Sequence, residues 1–170
     1  MHDLRSKPSA SLLSQGLTCS HTVPSPDVWH GYPFIDIAEA DVSATVLLPD
    51  VQRGFYRGSR FDYSGMVAEV HSDGQRYFGP YVPCDPHDPT FNASVAGTAE
   101  EFDLDGPHTY QNAPVGEGFV KIGVGVLQRL TDEPYSFNTA YPIVDHGQWT
   151  TIIKADRIHF EHHLEGPRGM

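Results

Sequence analysis

The sequence predicts an all-β fold, an antiparallel β-sandwich with little or no helix. Three observations carry that prediction. Several stretches alternate apolar and polar residues with a period of two, as half-buried strands do. Glycine and proline are plentiful, at 16 and 14 of 170 residues, and many of them fall between those stretches, where turns need them. No stretch of useful length carries the 3.6-residue apolar spacing of an amphipathic helix.

Residues 1–28 are rich in Ser, Pro and His, with one apolar patch at Leu12, Leu13 and Leu17. They are expected to form an irregular or disordered N-terminal tail, which leaves 29–170 as the β-sandwich domain. Val42 to Leu48 predicts a strand with Val42, Ala44, Val46 and Leu48 on one face, stopped by Pro49-Asp50. Met66 to Val70 and Gln75 to Phe78 predict a hairpin, because Asp73-Gly74 between them tolerates the positive φ of a tight turn. Val67, Glu69 and His71 then share the more polar face, and His71 is expected to look toward a ligand.

Gly79 to Asn92 is a stiff loop with four prolines, carrying Cys84, His87 and Asp88. Gly97 to Leu104 predicts a short strand bearing Glu100 and Glu101, and Gly106 to Gly118 another loop. Phe119 to Leu127 predicts the best single strand, with Val120, Ile122, Val124 and Val126 on one face. On its other face two glycines beside Lys121 leave room for a ligand. Tyr135 to Val144 predicts a strand interrupted at Pro142. Trp149 to Lys154 and Arg157 to Leu164 predict a second hairpin across Ala155-Asp156. Its return arm puts Arg157, His159, Glu161 and His163 on the face opposite Ile158, Phe160 and Leu164.

The totals exclude several functions. A net charge of −11 opposes non-specific binding to nucleic acid or to an anionic membrane, both of which need a basic surface. No apolar run approaches the roughly 20 residues of a membrane-spanning helix. The N-terminus lacks the apolar core of a signal peptide. Two cysteines, Cys19 and Cys84, make no disulfide scaffold and fit free thiols in a reducing compartment, so a cytoplasmic location is expected. Asn92-Ala-Ser94 matches a glycosylation sequon that matters only in a secreted chain.

The stretch from Arg53 to Gly65 is the candidate binding segment. Arg57 and Arg60 offer forked donors and Asp62 an acceptor, while Phe55, Tyr56, Phe61 and Tyr63 offer flat apolar faces. That mixture suits a polyhydroxylated small molecule such as a sugar. It equally suits a structural Arg–Asp pair packed on aromatics. His71, His87, Glu100 and Glu101 lie in stretches expected to surround this segment and have the chemistry for acid–base work. His159, Glu161 and His163 would share a strand face as zinc ligands sometimes do. Their spacing does not match a metal-binding barrel, and a solvated polar face is the alternative; no metal and no cofactor is expected. Cys84 sits among carboxylates that disfavour its thiolate, and no nucleophile elbow, phosphate loop or dinucleotide fingerprint is present.

Five motifs together resemble one family: Leu-Leu-Pro-Asp50, Gly-Phe-Tyr-Arg-Gly-Ser-Arg-Phe-Asp-Tyr-Ser-Gly65, Ala-Glu-Glu-Phe102, Phe-Val-Lys-Ile-Gly-Val-Gly-Val126 and His-His-Leu-Glu-Gly-Pro-Arg-Gly169. They are similar to the galactose mutarotase-like, aldose 1-epimerase-related superfamily, from about Val42 to the last residue. The resemblance implies a β-supersandwich and cofactor-free interconversion of sugar anomers by a histidine acid and a glutamate base. On it, Arg57, Arg60 and Asp62 are sugar contacts and His71 and His87 the candidates for the acid; together with the reading of the residues, His87 and Glu101 are the expected catalytic pair, and Arg57, Arg60, Asp62, His71 and Lys121 the expected sugar contacts. Family members are longer, so the chain is expected to be the N-terminal portion of a longer domain. Homodimerisation through exposed strand edges is a corollary. A non-catalytic carbohydrate-binding module and an inactive assembly fragment are the alternatives.

Overall fold

The computed structural model describes residues 28–29, 31–78, 97–103, 105–154 and 157–165. The expected N-terminal tail up to residue 27, the proline-rich loop with His87 and Cys84, the glycosylation sequon and the Ala155-Asp156 turn lie outside the described residues.

The fold is all-β, built from antiparallel sheets. Ten strands and one short helix occur among the described residues: β1 (Val28–Trp29), β2 (Tyr32–Glu39), β3 (Val42–Leu47), β4 (Val67–Ser72), β5 (Gln75–Phe78), α1 (His108–Asn112), β6 (Gly118–Lys121), β7 (Gly125–Gln128), β8 (Ile143–Asp145), β9 (Gln148–Ile153) and β10 (Ile158–His163). They form a five-stranded meander β1-β2-β3-β4-β5, a three-stranded sheet β6-β7-β8 and a two-stranded ribbon β9-β10. No helix among the described residues is long and apolar enough to cross a membrane.

Local chemistry explains the turns. β4 and β5 close at Ser72↔Gln75 through Asp73 and Gly74, both at positive φ (50° and 72°), the conformation a two-residue hairpin favours. β2 and β3 close at Glu39↔Val42 through Ala40, which takes φ 50°. β2 itself carries a weak alternation that the sequence reading passes over, and Val28, placed in the tail, belongs to β1.

Four expectations are corrected. Phe119 to Leu127 is not one strand but a hairpin: Gly118 pairs Gln128 and Lys121 pairs Gly125. Gly123 at φ 74° reverses the chain, so Ile122 projects outward at 57% exposure while Val124 is fully buried. The Gly97–Leu104 stretch forms no strand over its described residues; its backbone serves the Arg53–Gly65 segment instead. The Gly106–Gly118 loop contains α1. The Tyr135–Val144 stretch is irregular until Ile143, where β8 begins. In β3 a register shift between Thr45 and Val46 accompanies burial of the consecutive Val46 and Leu47, while Val42 is half exposed.

The core gathers around the segment between β3 and β4. Phe55, Tyr56, Tyr63 and Met66 are buried in one cluster with Leu47, Ala68, Tyr110, Phe119, Val124, Leu127 and Tyr141. The segment is tied to its surroundings by backbone bonds from Asp62 N–H to Glu100 O (2.9 Å), Tyr63 N–H to Gly123 O (3.0 Å) and Leu47 N–H to Met66 O (2.8 Å). At Gly123 a Cβ would lie 2.2 Å from Asp62 Cγ, so the β6–β7 turn and the segment approach closer than a side chain allows. Gly123→Ala is therefore expected to destabilise by about 2–5 kcal/mol, combining a left-handed backbone cost of about 1–2 with overpacking of about 1–3. Urea unfolding checks it; a loss under about 0.5 kcal/mol, the range of an ordinary surface change, contradicts the close approach.

Candidate functional site

The Arg53–Gly65 segment carries two differently used arginines. Arg60 turns inward. Its Nε donates to Glu101 Oε2 at 2.9 Å, and its guanidinium lies between the rings of Phe61 (4.6 Å) and Phe137 (4.4 Å). Glu101 is 9% exposed, and its Oε1 has no partner among the described residues. Lys121 is fully buried, donates from Nζ to Phe102 O at 2.8 Å and sits over the Tyr135 ring. Burial pushes its pKa down, against the opposing pull of Glu101 and Asp103.

Asp62 is also internal. Its Oδ1 accepts from Ser64 N–H at 2.7 Å and from the Ser64 hydroxyl at 2.8 Å, an Asx turn that shapes the segment. The structure thus buries Asp62 and Lys121 in the interior and sets the Arg60–Glu101 pair at its margin, with Arg60 22% exposed, each held by internal partners. His71 is elsewhere, half exposed on β4, with Nε2 3.3 Å from Glu69, which also lies 3.5 Å from Arg76. His87 lies outside the described residues.

Arg57 is placed otherwise. With Gly58 and Ser59 it forms one wall of a cleft of about 350 Å³ whose other wall is Ala140 to Ile143 and His146. That volume is at the lower end for small-molecule sites. The wall is secured from inside: Tyr141 N–H donates to Ser59 Oγ at 3.0 Å, and the Tyr141 hydroxyl accepts from Ser136 N–H at 3.1 Å.

His146 stands in the β8–β9 turn. Asp145 Oδ1 accepts from Gly147 N–H at 2.8 Å, and His162 Nε2 donates to His146 O at 2.9 Å. The turn lies so close to β10 that a Cβ on Gly147 would sit 2.4 Å from His163 O. His162 is itself fixed by stacking on Trp149 at 4.0 Å, and Trp149 stacks in turn against Tyr63.

Two buried nitrogens of the cleft residues, Arg57 Nε and His146 Nδ1, have no hydrogen-bond partner among the described residues. Arg57 spends its Nη1 on Gln52 O. An unmet buried donor costs about 1–3 kcal/mol, and such groups call for a water, an ion or a ligand. Burial lowers the pKa of His146, with Asp145 pulling the other way and His162 adding to the fall. Among the described residues no carboxylate lines the cleft.

Sequence reasoning named Arg57 but not Ser59, Tyr141 or His146. Ser59 sits inside the singled-out segment; Asp145-His146-Gly147 carries an Asx-turn signature, the one signal that could have found the histidine. On β10, His159 Nε2 lies 3.1 Å and His163 Nε2 3.6 Å from Glu161 carboxylate oxygens, on an exposed strand face. No group of three or more His, Cys, Asp or Glu among the described residues is arranged to hold a metal ion. Comparison with protein-family models, with curated proteins and with solved structures finds no match.

Removing one member of the Arg60–Glu101 pair strands the other in the interior. Arg60→Met is expected to cost about 3 kcal/mol, and Arg60→Met combined with Glu101→Leu to cost less than that single change. A double-mutant cycle by urea unfolding reads this; additive losses contradict a structural pair. His146 supplies a pH test. Below about pH 6.5 the unfolded chain binds a proton that folded His146 resists. Its contribution is therefore complete above that value and is lost as pH falls through the lowered folded pKa. His146→Asn is expected to flatten the stability profile below about pH 6.5 relative to wild type; parallel profiles contradict burial of a neutral imidazole.

Proposed function

We propose that the protein binds a carbohydrate in the cleft between Arg57 and His146. The observation that carries this reading is one cleft of monosaccharide size lined by Arg57, Ser59, Tyr141 and His146. Arginine, histidine and serine side chains are of the kinds that bond sugar hydroxyls, and Tyr141 and Ile143 supply apolar surface beside them. The motif resemblance to the galactose mutarotase-like family points the same way, since Arg57 and Ser59 fall within its longest motif.

Binding is favoured over anomer interconversion by one observation. General acid–base chemistry needs a base as well as an acid at the ring, and among the described residues no carboxylate lines the cleft. Glu101, the expected base, is held by Arg60 at 2.9 Å in the interior. A non-catalytic carbohydrate-binding protein is thus the reading the geometry supports best, and the acid–base pair His87 and Glu101 is the second.

A ligand that binds only the native state raises its stability, by about 2.7 kcal/mol at one hundred times Kd. Thermal unfolding across a panel of monosaccharides is expected to rise with at least one of them, and Arg57→Ala to weaken that sugar roughly tenfold or more. Polarimetry on the same samples is expected to show mutarotation at the buffer rate. No stabilisation by any sugar sinks the binding reading; acceleration abolished by Glu101→Gln favours the acid–base reading instead.

A further inference from the structure

We infer that His146 and His162 form a latch on the cleft, closed while His146 is neutral and opened when acid puts charge on both rings. Release of a sugar by this opening rests on the carbohydrate reading above; the opening itself does not.

His146 lines the cleft, and the turn that carries it is seated directly on β10. His162 Nε2 donates to His146 O at 2.9 Å. A Cβ on Gly147 would lie 2.9 Å from the same nitrogen, so turn and strand touch with no side chain between them. Both imidazoles rest on one aromatic body. His162 stacks on Trp149 at 4.0 Å, Trp149 stacks on Tyr63, and the His146 ring lies 6.4 Å from Tyr63. β8 is paired with β7 as far as Val126↔Asp145, so the part free to lift is the turn after it.

Charge decides whether the latch holds. An imidazolium donates from both ring nitrogens, so a charged His162 keeps its bond to His146 O. Its charge then lies against the indole face, a favourable place for a cation. His146 is placed otherwise. Its Nδ1 is buried, and burial of the ring opposes a charge there; Asp145 pulls the other way and a charged His162 adds to the opposition. Asp145 is itself drawn to Gly147 N–H, from which its Oδ1 accepts. Tyr63 faces His146 from the segment and stays neutral, because burial raises its pKa. Arg57 stands across the cleft as a permanent cation. Glu161 of β10 does not offset the pair, since it lies between His159 and His163 on the strand's other face.

His146 therefore takes up a proton cheaply only when its ring turns into water. That ring is part of the cleft wall, so charging it removes the wall there and draws its carbonyl from His162. Tyr141 N–H keeps its bond to Ser59 Oγ, so the cleft opens on the His146 side and holds on the other.

Proton NMR of the full-length chain tests the latch without any ligand. An Overhauser contact between the Gly147 α-protons and the His162 ring is expected at about pH 7.5 and is expected to be lost below about pH 6.5, in step with titration of the His146 ring. In His146→Asn the contact is expected to persist to about pH 5. His162→Gln is expected to raise the pH at which His146 titrates by roughly half a unit or more, because the like charge is gone. A contact retained after His146 has titrated overturns the latch, as does its loss at the same pH in His146→Asn. An unchanged His146 titration in His162→Gln overturns the part given to His162. Calorimetric titration with glucose and with galactose reads the ligand half, and binding is expected to weaken roughly tenfold between about pH 7.5 and 5. Affinity equal at both values overturns the latch as a control on binding. No binding by either sugar or by any other monosaccharide, with the contact still lost in acid, overturns the carbohydrate reading and leaves the latch standing.

Discussion

An irregular stretch of backbone runs through the middle of this protein, and the fold depends on satisfying it there. Buried amides and carbonyls must find partners, and a segment outside any sheet has no ladder to supply them. Two tyrosines within the segment do so. The Tyr56 hydroxyl accepts from the N–H groups of Arg60 (3.0 Å) and Phe61 (3.1 Å), and the Tyr63 hydroxyl donates to Gly58 O at 3.0 Å. Burial pushes the pKa of Tyr56 up to about 12 and that of Tyr63 up as well, so both remain neutral and able to play these parts. Their rings meet edge to face at 5.7 Å, an arrangement that adds about 0.5–1.5 kcal/mol beyond area burial. The same two side chains thus fold the loop on itself and anchor it in the core.

The sheets are arranged around that segment. The meander reaches it through Leu47 and Met66, the three-stranded sheet through Gly123, and the β9–β10 ribbon through Trp149 stacked on Tyr63. Glycine is required where backbone and segment nearly touch: Gly54 would put a Cβ 2.4 Å from Asp50 O, and Gly123 would put one against Asp62. A second aromatic group, Tyr110, Phe119, Tyr135 and Tyr141, fills the side beneath α1 with contacts of 4.9 to 6.3 Å. Tyr141 belongs to this group and also walls the cleft. The site is therefore built on the packed interior rather than on a free loop, which is what lets a small cleft hold its width.

What could be read from the sequence follows from how local the cause was. Asp73-Gly74 set its own hairpin, and β9 and β10 showed a period-two pattern with little interruption. The Phe119–Leu127 stretch misled because its alternation was complete: a strand and a tight hairpin share the same run of apolar residues, and only Gly123 at positive φ distinguishes them. β2 was missed because Pro33, Asp36 and Glu39 dilute its pattern. At the site, Arg57 stood out by composition, but His146 did not. Its place depends on a turn seated against β10 some sixteen residues later, through the bond from His162, and no local signal encodes that distance.

The two arginines of the segment show why residue type alone could not assign roles. Arg57 and Arg60 are three positions apart in one motif with the same chemistry. Arg60 met a carboxylate, Glu101, from a distant stretch, and two phenyl faces closed over the pair; a charge so enclosed has spent its capacity for outside ligands. Among the described residues Arg57 bonds a neighbouring carbonyl, that of Gln52, which answers one nitrogen and leaves Nε without a partner. The difference arises from tertiary placement: the Glu100–Phe102 backbone packs against one side of the segment and supplies a carboxylate to Arg60, while on the Ala140–His146 side the carboxylate of Asp145 accepts from Gly147 N–H. Among the described residues Arg57 forms no ion pair, and the cleft beside it is where the segment meets the Ala140–Ile143 wall.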